Sequence, residues 1–166
     1  MRMCFVSDVH EKYRALTLKL IEKGKTIATM ESCTAGQIVS LLTDTEGSSA
    51  VVLGGFVTYS NAVKVLDGVS ASLIDKYGVY SPQTACAMAE AVRSRLGSDI
   101  GVGVTGTFGN VDPNNSDSVP GEVHFAVATA DGTEGFSLSV PPMGSRPEYK
   151  MYVADAVADK LLEIVG

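Results

Sequence analysis

The chain of 166 residues carries a net charge of −6 and is long enough for one domain whose core needs no disulfide or metal staples. Apolar residues make up 45% of it and charged residues 19%, which excludes a disordered chain. The acidic balance argues against nucleic-acid binding as the main activity, although one local cluster of donors can hold an anionic small ligand on an acidic protein.

Asp8 and Glu11 have the spacing of a capping box, so a helix is expected from there to Gly24, with Leu16, Leu20 and Ile21 facing the core. Thr26–Met30 reads as a short buried strand and Gly36 to about Leu42 as a helix. Val51–Tyr59 is a second strand, in which Gly54 and Gly55 allow a bulge or a close backbone approach. Asn61 is placed to cap a short helix through Lys64 and Leu66, and a further helical turn is expected near Ser72–Tyr77.

The clearest helix runs from the N-cap Ser81, with Pro82 at the first position, to Gly97. Ala85, Met88, Ala89, Val92 and Leu96 form its apolar stripe. Ile100–Thr105 is a Gly/Val strand, and Phe108 to Pro120 is a polar loop. Glu122–Ala130 and Thr133–Val140, joined at Asp131-Gly132, read as an antiparallel hairpin. The last helix opens at Ser145 and Glu148, with Ala154, Val157, Ala158, Leu161 and Val165 inside. Strands that alternate with helices before a hairpin imply an α/β fold, a three-layer α/β/α sandwich with a mixed β-sheet. Residues 1–24 are expected to be a helical lead-in to the same domain that 25–166 complete.

Cys4, Cys33 and Cys86 match neither a disulfide framework nor a CxxC metal site. His10 and His124 have no ligand-like spacing, so neither a metal nor a cofactor is expected. No apolar run approaches a membrane span, and the start MRMCFVSD lacks the apolar stretch of a signal peptide. A soluble, reducing, cytoplasmic setting is the expectation.

Chemistry concentrates in MESCTAGQIVS, residues 30–40, where a buried strand gives way to a helix. Ser32 at such a turn serves either as an N-cap or as a nucleophile beside backbone N–H groups that can hold an oxyanion. The second role needs a base. No histidine stands in a suggestive position, whereas Lys64, in TYSNAVK, could act as base if burial lowers its pKa. Its alternative is a solvated surface lysine. Cys33 is a rival nucleophile, but neighbouring residues of an extended segment point opposite ways, so only one of Ser32 and Cys33 faces a given pocket. The plainer reading of all three cysteines is small buried apolar residues. Arg146 lies in the first turn of the last helix, where the dipole disfavours a cation, and a bound anion would offset that cost.

ESCTAG, followed by GSSAVVLGGFVTYSNAVK, YGVYSPQTACAMAEAVRSRLGSDIGVGVTG and VPGEVHFAVA, resembles the C-terminal domain of the competence/damage-inducible protein CinA, the nicotinamide-nucleotide amidase (PncC) family. The similarity covers most of the chain from about residue 25. It implies hydrolysis of the carboxamide of nicotinamide mononucleotide to nicotinic acid mononucleotide and ammonia. On matching positions it makes Ser32 the nucleophile and Lys64 the general base, with Tyr59 assisting by hydrogen bonding. It places Glu31, Cys33, Thr34, Gly36, Asn61, Thr105, Gly106 and Arg146 around the substrate, a small pyridine nucleotide. Apolar faces on the Gly/Val strands and Ala-rich helices suggest a homo-oligomer; no nucleic-acid or membrane partner is expected.

The chain departs from the family's glycine-rich pattern after the third strand. TGTFGNVDPNNSDSVP keeps Thr105, Gly106 and Gly109 but has neither the Gly-Gly pair nor the lysine. Asn114 and Asn115 could supply left-handed backbone instead, while Asp112 and Asp117 would repel a phosphate if they faced it. Ala35, where the family usually has glycine, is expected to favour the helix and to add only a methyl. The altered loop leaves a second reading open, a non-catalytic or substrate-shifted pyridine-nucleotide-binding or regulatory module.

Overall fold

In the computed structural model, which describes residues 2–166, helix α1 (Arg2–Lys23) presents Val9, Tyr13, Leu16 and Leu20 as one fully buried stripe. The capping box at Asp8 and Glu11 does not open this helix, which starts at Arg2. With no glycine or proline among residues 2–7 nothing breaks it earlier. The Cys4 side chain lies outside the described residues. Strand β1 (Ile27–Glu31) follows, then α2 (Gln37–Thr43), a short 3-10 turn (Ser48–Ala50) and β2 (Val52–Val57). Helices α3 (Asn61–Leu66), α4 (Ala71–Tyr77) and α5 (Pro82–Leu96) lead to β3 (Ile100–Gly106). The hairpin β4 (Glu122–Thr129) and β5 (Gly132–Ser139) precedes α6 (Arg146–Val165).

The five strands form one mixed sheet in the order β2-β1-β3-β4-β5. β1 pairs in parallel with β2 and β3, while β4 is antiparallel to both its neighbours. Alternation along β1 sends Ile27 into the core beneath α1, α2 and α6, and Ala28 and Met30 into the core beneath α4 and α5. The expected three layers follow. Among the described residues no helix is long and apolar enough to cross a membrane.

Two local features position what comes next. The register of β1 on β2 shifts between Ile27, opposite Val52, and Ala28, opposite Gly54, so Leu53 is an extra residue and the strand ends align Glu31 with Val57. Helix α5 lies close on β3: a Cβ added at Gly103 would stand 2.3 Å from the Ala85 carbonyl oxygen, so only glycine permits that approach. Caps also differ in detail. Ser60, not Asn61, caps α3 by accepting from the Val63 N–H, and Ser70 caps α4, whereas Ser81 and Ser145 cap α5 and α6 as the sequence suggests. Cys86 is only partly buried and, like Cys33, carries a free thiol.

Candidate active site

The carboxyl ends of the three parallel strands meet at one edge of the sheet, the usual ligand position in such folds. Ser32 continues β1 by one residue, its N–H donating to Val104 O at 3.0 Å. Thr58 continues β2, donating to Glu31 O at 2.9 Å. Lys64, one turn into α3, reaches back under both: its Nζ donates to Ser32 Oγ at 3.1 Å and to Thr58 O at 2.8 Å. Only 1% of Lys64 is exposed, and among the described residues it has no carboxylate ion-pair partner. Burial therefore lowers its pKa to about 8, against the opposing pull of the Asp112 carboxylate. A minority of the amine, on the order of a tenth to a fifth near neutral pH, is thus neutral and able to take a proton from Ser32.

Ser32 caps no helix. Gly36 occupies the N-cap of α2 and offers no side chain, and the capping is done by the fully buried Glu31. Its carboxylate accepts from Ile38 N–H at 2.9 Å, Val39 N–H at 3.0 Å and Thr29 Oγ1 at 3.0 Å. The acid at the end of β1 therefore satisfies first-turn donors of α2 and favours its dipole. The Cys33 thiol, beside it, is pushed up to about 12 by burial, with the Glu31 charge adding to the effect. It stays a thiol at neutral pH, and the thiolate is the reactive form. Of the two adjacent nucleophiles, only Ser32 hydrogen-bonds a base.

Above the pair lies a cleft of about 470 Å³, within the range of small-ligand sites. Ser32, Cys33, Tyr59, Asn61, Gly106 and Arg146 line it. Glu31, Thr34, Gly36 and Thr105 do not. Thr34 is fully buried beside the turn, and Thr105 Oγ1 donates to Val79 O at 2.9 Å, tying β3 to the segment before α5. The Tyr59 ring is 64% exposed; its hydroxyl accepts from Arg146 Nη2 at 3.4 Å and makes no hydrogen bond to Ser32 or Lys64. Arg146 also lies over the Phe108 ring, 5.2 Å from its centroid.

Loop 107–119 folds differently from the expectation. Neither Asn114 nor Asn115 is left-handed; Ala35 is the one non-glycine residue with positive φ among those described. The loop is organised instead around the Asp112 carboxylate, which accepts from the Tyr80 hydroxyl, from Asn115 Nδ2 at 2.6 Å and from Asn114 N–H at 2.9 Å. Asn61 Nδ2 in turn donates to Asn115 Oδ1 at 2.7 Å, so the start of α3 is braced to the loop. The Asn115 amide, with Tyr80 and Asn114, holds the Asp112 carboxyl below the usual range. Asp117 turns away and accepts from Tyr80 N–H at 3.1 Å. Tyr80 is a cleft residue that local pattern did not single out, and its partnership with Asp112, which the sequence marked only as a group that would repel a phosphate, spans more than thirty residues of chain.

Ala35 has φ +49°, outside α2 and in the left-handed region. Its methyl is therefore a burden and not a helix-favouring group, at a cost of roughly 1 kcal/mol. Ala35→Gly is expected to raise Tm by about 2–4 °C, read by thermal denaturation; an unchanged or lower Tm would contradict the strain.

A family model described as the CinA C-terminal domain matches residues 10–165. A CinA-like protein from Synechococcus sp. (strain RCC307) is 44% identical over 131 residues, covering 78% of this chain and 31% of that protein. A putative competence-damage inducible protein from Desulforudis audaxviator (strain MP104C) is 45% identical over 124 residues, covering 74% and 30%. The chain thus spans about a third of the length of the curated relatives it matches. Among solved structures, the competence/damage inducible protein CihA from Agrobacterium tumefaciens superposes with a TM-score of 0.87 at 30% identity, covering 96% of each chain. A CinA superfamily protein from Klebsiella pneumoniae, at 22% identity, shares the fold with a TM-score of 0.86. With the family model matched over almost the whole chain, the protein belongs to the CinA C-terminal domain family.

Proposed function

We propose that the chain is a serine amidase that hydrolyses the carboxamide of nicotinamide mononucleotide. The observation that carries this reading is the buried, carboxylate-free Lys64 Nζ, 3.1 Å from Ser32 Oγ at the floor of the cleft. Ser32 Oγ attacks the carboxamide carbon as its proton passes to the neutral Lys64 amine. The C–O bond forms, and charge moves to the carbonyl oxygen, for which the N–H groups of the turn after Ser32 are the candidate donors. Collapse breaks the C–N bond, and the Lys64 ammonium gives its proton to the departing ammonia. Water, activated by the same amine, then cleaves the acyl ester and restores Ser32.

Tyr59 and Arg146, which share the cleft with Ser32, are assigned to the ribose phosphate. The guanidinium supplies the planar donor fork that a phosphate suits. Purified protein incubated with nicotinamide mononucleotide is expected to release ammonia and nicotinic acid mononucleotide in equal amounts. Absence of both from folded protein would overturn the reading. A nucleotide-binding module without turnover is the second reading, favoured by the acidic loop around Asp112; nucleotide binding without ammonia release would select it.

A further inference from the structure

Asp112 is a cleft-lining carboxylate whose hydrogen-bond partners, Tyr80, Asn114 and Asn115, are all neutral donors. It makes no ion pair among the described residues, either with Arg146 on the same cleft or with Lys64. Neutral donors hold a carboxylate in its charged form without cancelling the charge. The cleft therefore contains a fixed negative charge that no cation touches among the described residues, although the Lys64 charge acts on it from a distance, and Arg146, also without an ion pair among them, as a separate positive one. Such an anion near Ser32 would oppose the negative charge that builds on a carbonyl oxygen during attack, unless the ligand brings a cation with it. Thr107, which lines the cleft next to Gly106 and is 5% exposed, lies beside the Tyr80 hydroxyl that holds Asp112.

We infer that Asp112 is a specificity-determining residue, selecting amides carried on a positively charged heteroaromatic ring over the same amides on a neutral ring. Where the carboxamide sits rests on the amidase reading; the preference for a cation does not. A ring bearing both the carboxamide and a quaternary nitrogen places its positive charge within a few ångströms of the reacting carbon. There the charge offsets Asp112 and draws electrons from the carbonyl. An anionic group elsewhere on the ligand is left to Arg146, so the cleft suits a dipolar molecule.

The test compares two probes that differ by one hydride on the ring, and hence in its charge and aromaticity: nicotinamide mononucleotide and its neutral 1,4-dihydro form. Binding is measured by calorimetry on the Ser32→Ala variant, so that no turnover intervenes. The oxidised probe is expected to bind at least about tenfold more tightly, the effect of one well-placed charge. Adding Asp112→Asn should shrink the preference to within about threefold, while Asp112→Glu retains most of it. Raising the salt to about 1 M, where the screening length is near 3 Å, should shrink it without any substitution and so covers a variant that fails to fold. Equal binding of the two probes, binding of neither, or a preference unchanged by Asp112→Asn in a folded protein overturns the inference. Ammonia release by the wild type is read separately. A preference without turnover sinks the amidase and leaves Asp112 as a cation selector, whereas turnover without preference sinks Asp112 alone.

Discussion

Replacing Ser32 by alanine is expected to lower kcat/KM for amide hydrolysis by about 10⁴-fold or more, and Lys64→Met by about 10²- to 10⁴-fold. Each loss follows from the same contact, since among the described residues the hydroxyl hydrogen-bonds no other base and the amine otherwise only the Thr58 carbonyl. In the wild type, kcat/KM should rise with pH along a limb with an apparent pKa near 8, where Lys64 gives up its proton. The limb should vanish from any residual activity of Lys64→Met; its persistence there would assign it to another group. Stability carries the same signature with a definite sign. The folded pKa of about 8 lies below the ordinary lysine value of 10.5, so the unfolded chain binds more protons between those two values. The wild type should therefore gain stability relative to Lys64→Met as pH rises from about 8 to 10.5, and hold a constant difference below that window. Denaturant midpoints of both proteins across this range read the effect, and parallel curves would rule out the buried-amine account.

Glu31→Ala is expected to destabilise the protein by about 3 kcal/mol, the cost of leaving buried donors unsatisfied and a helix end uncapped. Its carboxylate accepts from two N–H groups of the first turn of α2 and from Thr29, in a fully buried position. For a domain of this size that loss lowers Tm by roughly 6–12 °C. Glu31→Gln keeps one acceptor oxygen and should cost less, though its amide nitrogen must face a backbone donor. Because Glu31 immediately precedes Ser32 and does not touch the cleft, a loss of activity in the folded Gln variant would reflect a displaced nucleophile. Calorimetry separates the outcomes: a Tm within 2 °C of wild type for Glu31→Ala would refute the capping role.

Most of the fold was legible because the signals were local. Ser81 with Pro82 and a closing Gly97 bound α5 to the residue, and the Asp131-Gly132 turn fixed the hairpin. Errors arose where a local rule met a stronger non-local one. The Asp8 capping box was overridden because residues 2–7, with no glycine or proline among them, carry the helix back to Arg2, and Ser60 outcompeted its neighbour Asn61 as the cap of α3. At the site, Ser32 and Lys64 could be proposed from residue type and family resemblance. That Lys64 is buried without a carboxylate needed the three-dimensional arrangement. The role of Glu31 was hidden because its partners lie on a helix that begins six residues later. Loop 107–119 was illegible for a related reason: Tyr80, Asn61 and Asp112 come from three separate segments, and no periodicity records their meeting.

The extra residue at Leu53 has a consequence for how the chemistry comes into being. Side chains alternate faces along a strand, so a one-residue slip of β2 on β1 would swap every residue to the opposite face. It would also carry Thr58 and the α3 that follows away from Ser32. The bulge absorbs that offset before the strand ends are reached, leaving Glu31 opposite Val57 and the Thr58 carbonyl under Lys64. Ser32 and Lys64, 32 positions apart in the chain, thus come together only once two parallel strands have zipped in the correct frame. During refolding, the return of a depressed lysine pKa would time that zipping, separately from the earlier recovery of helix content.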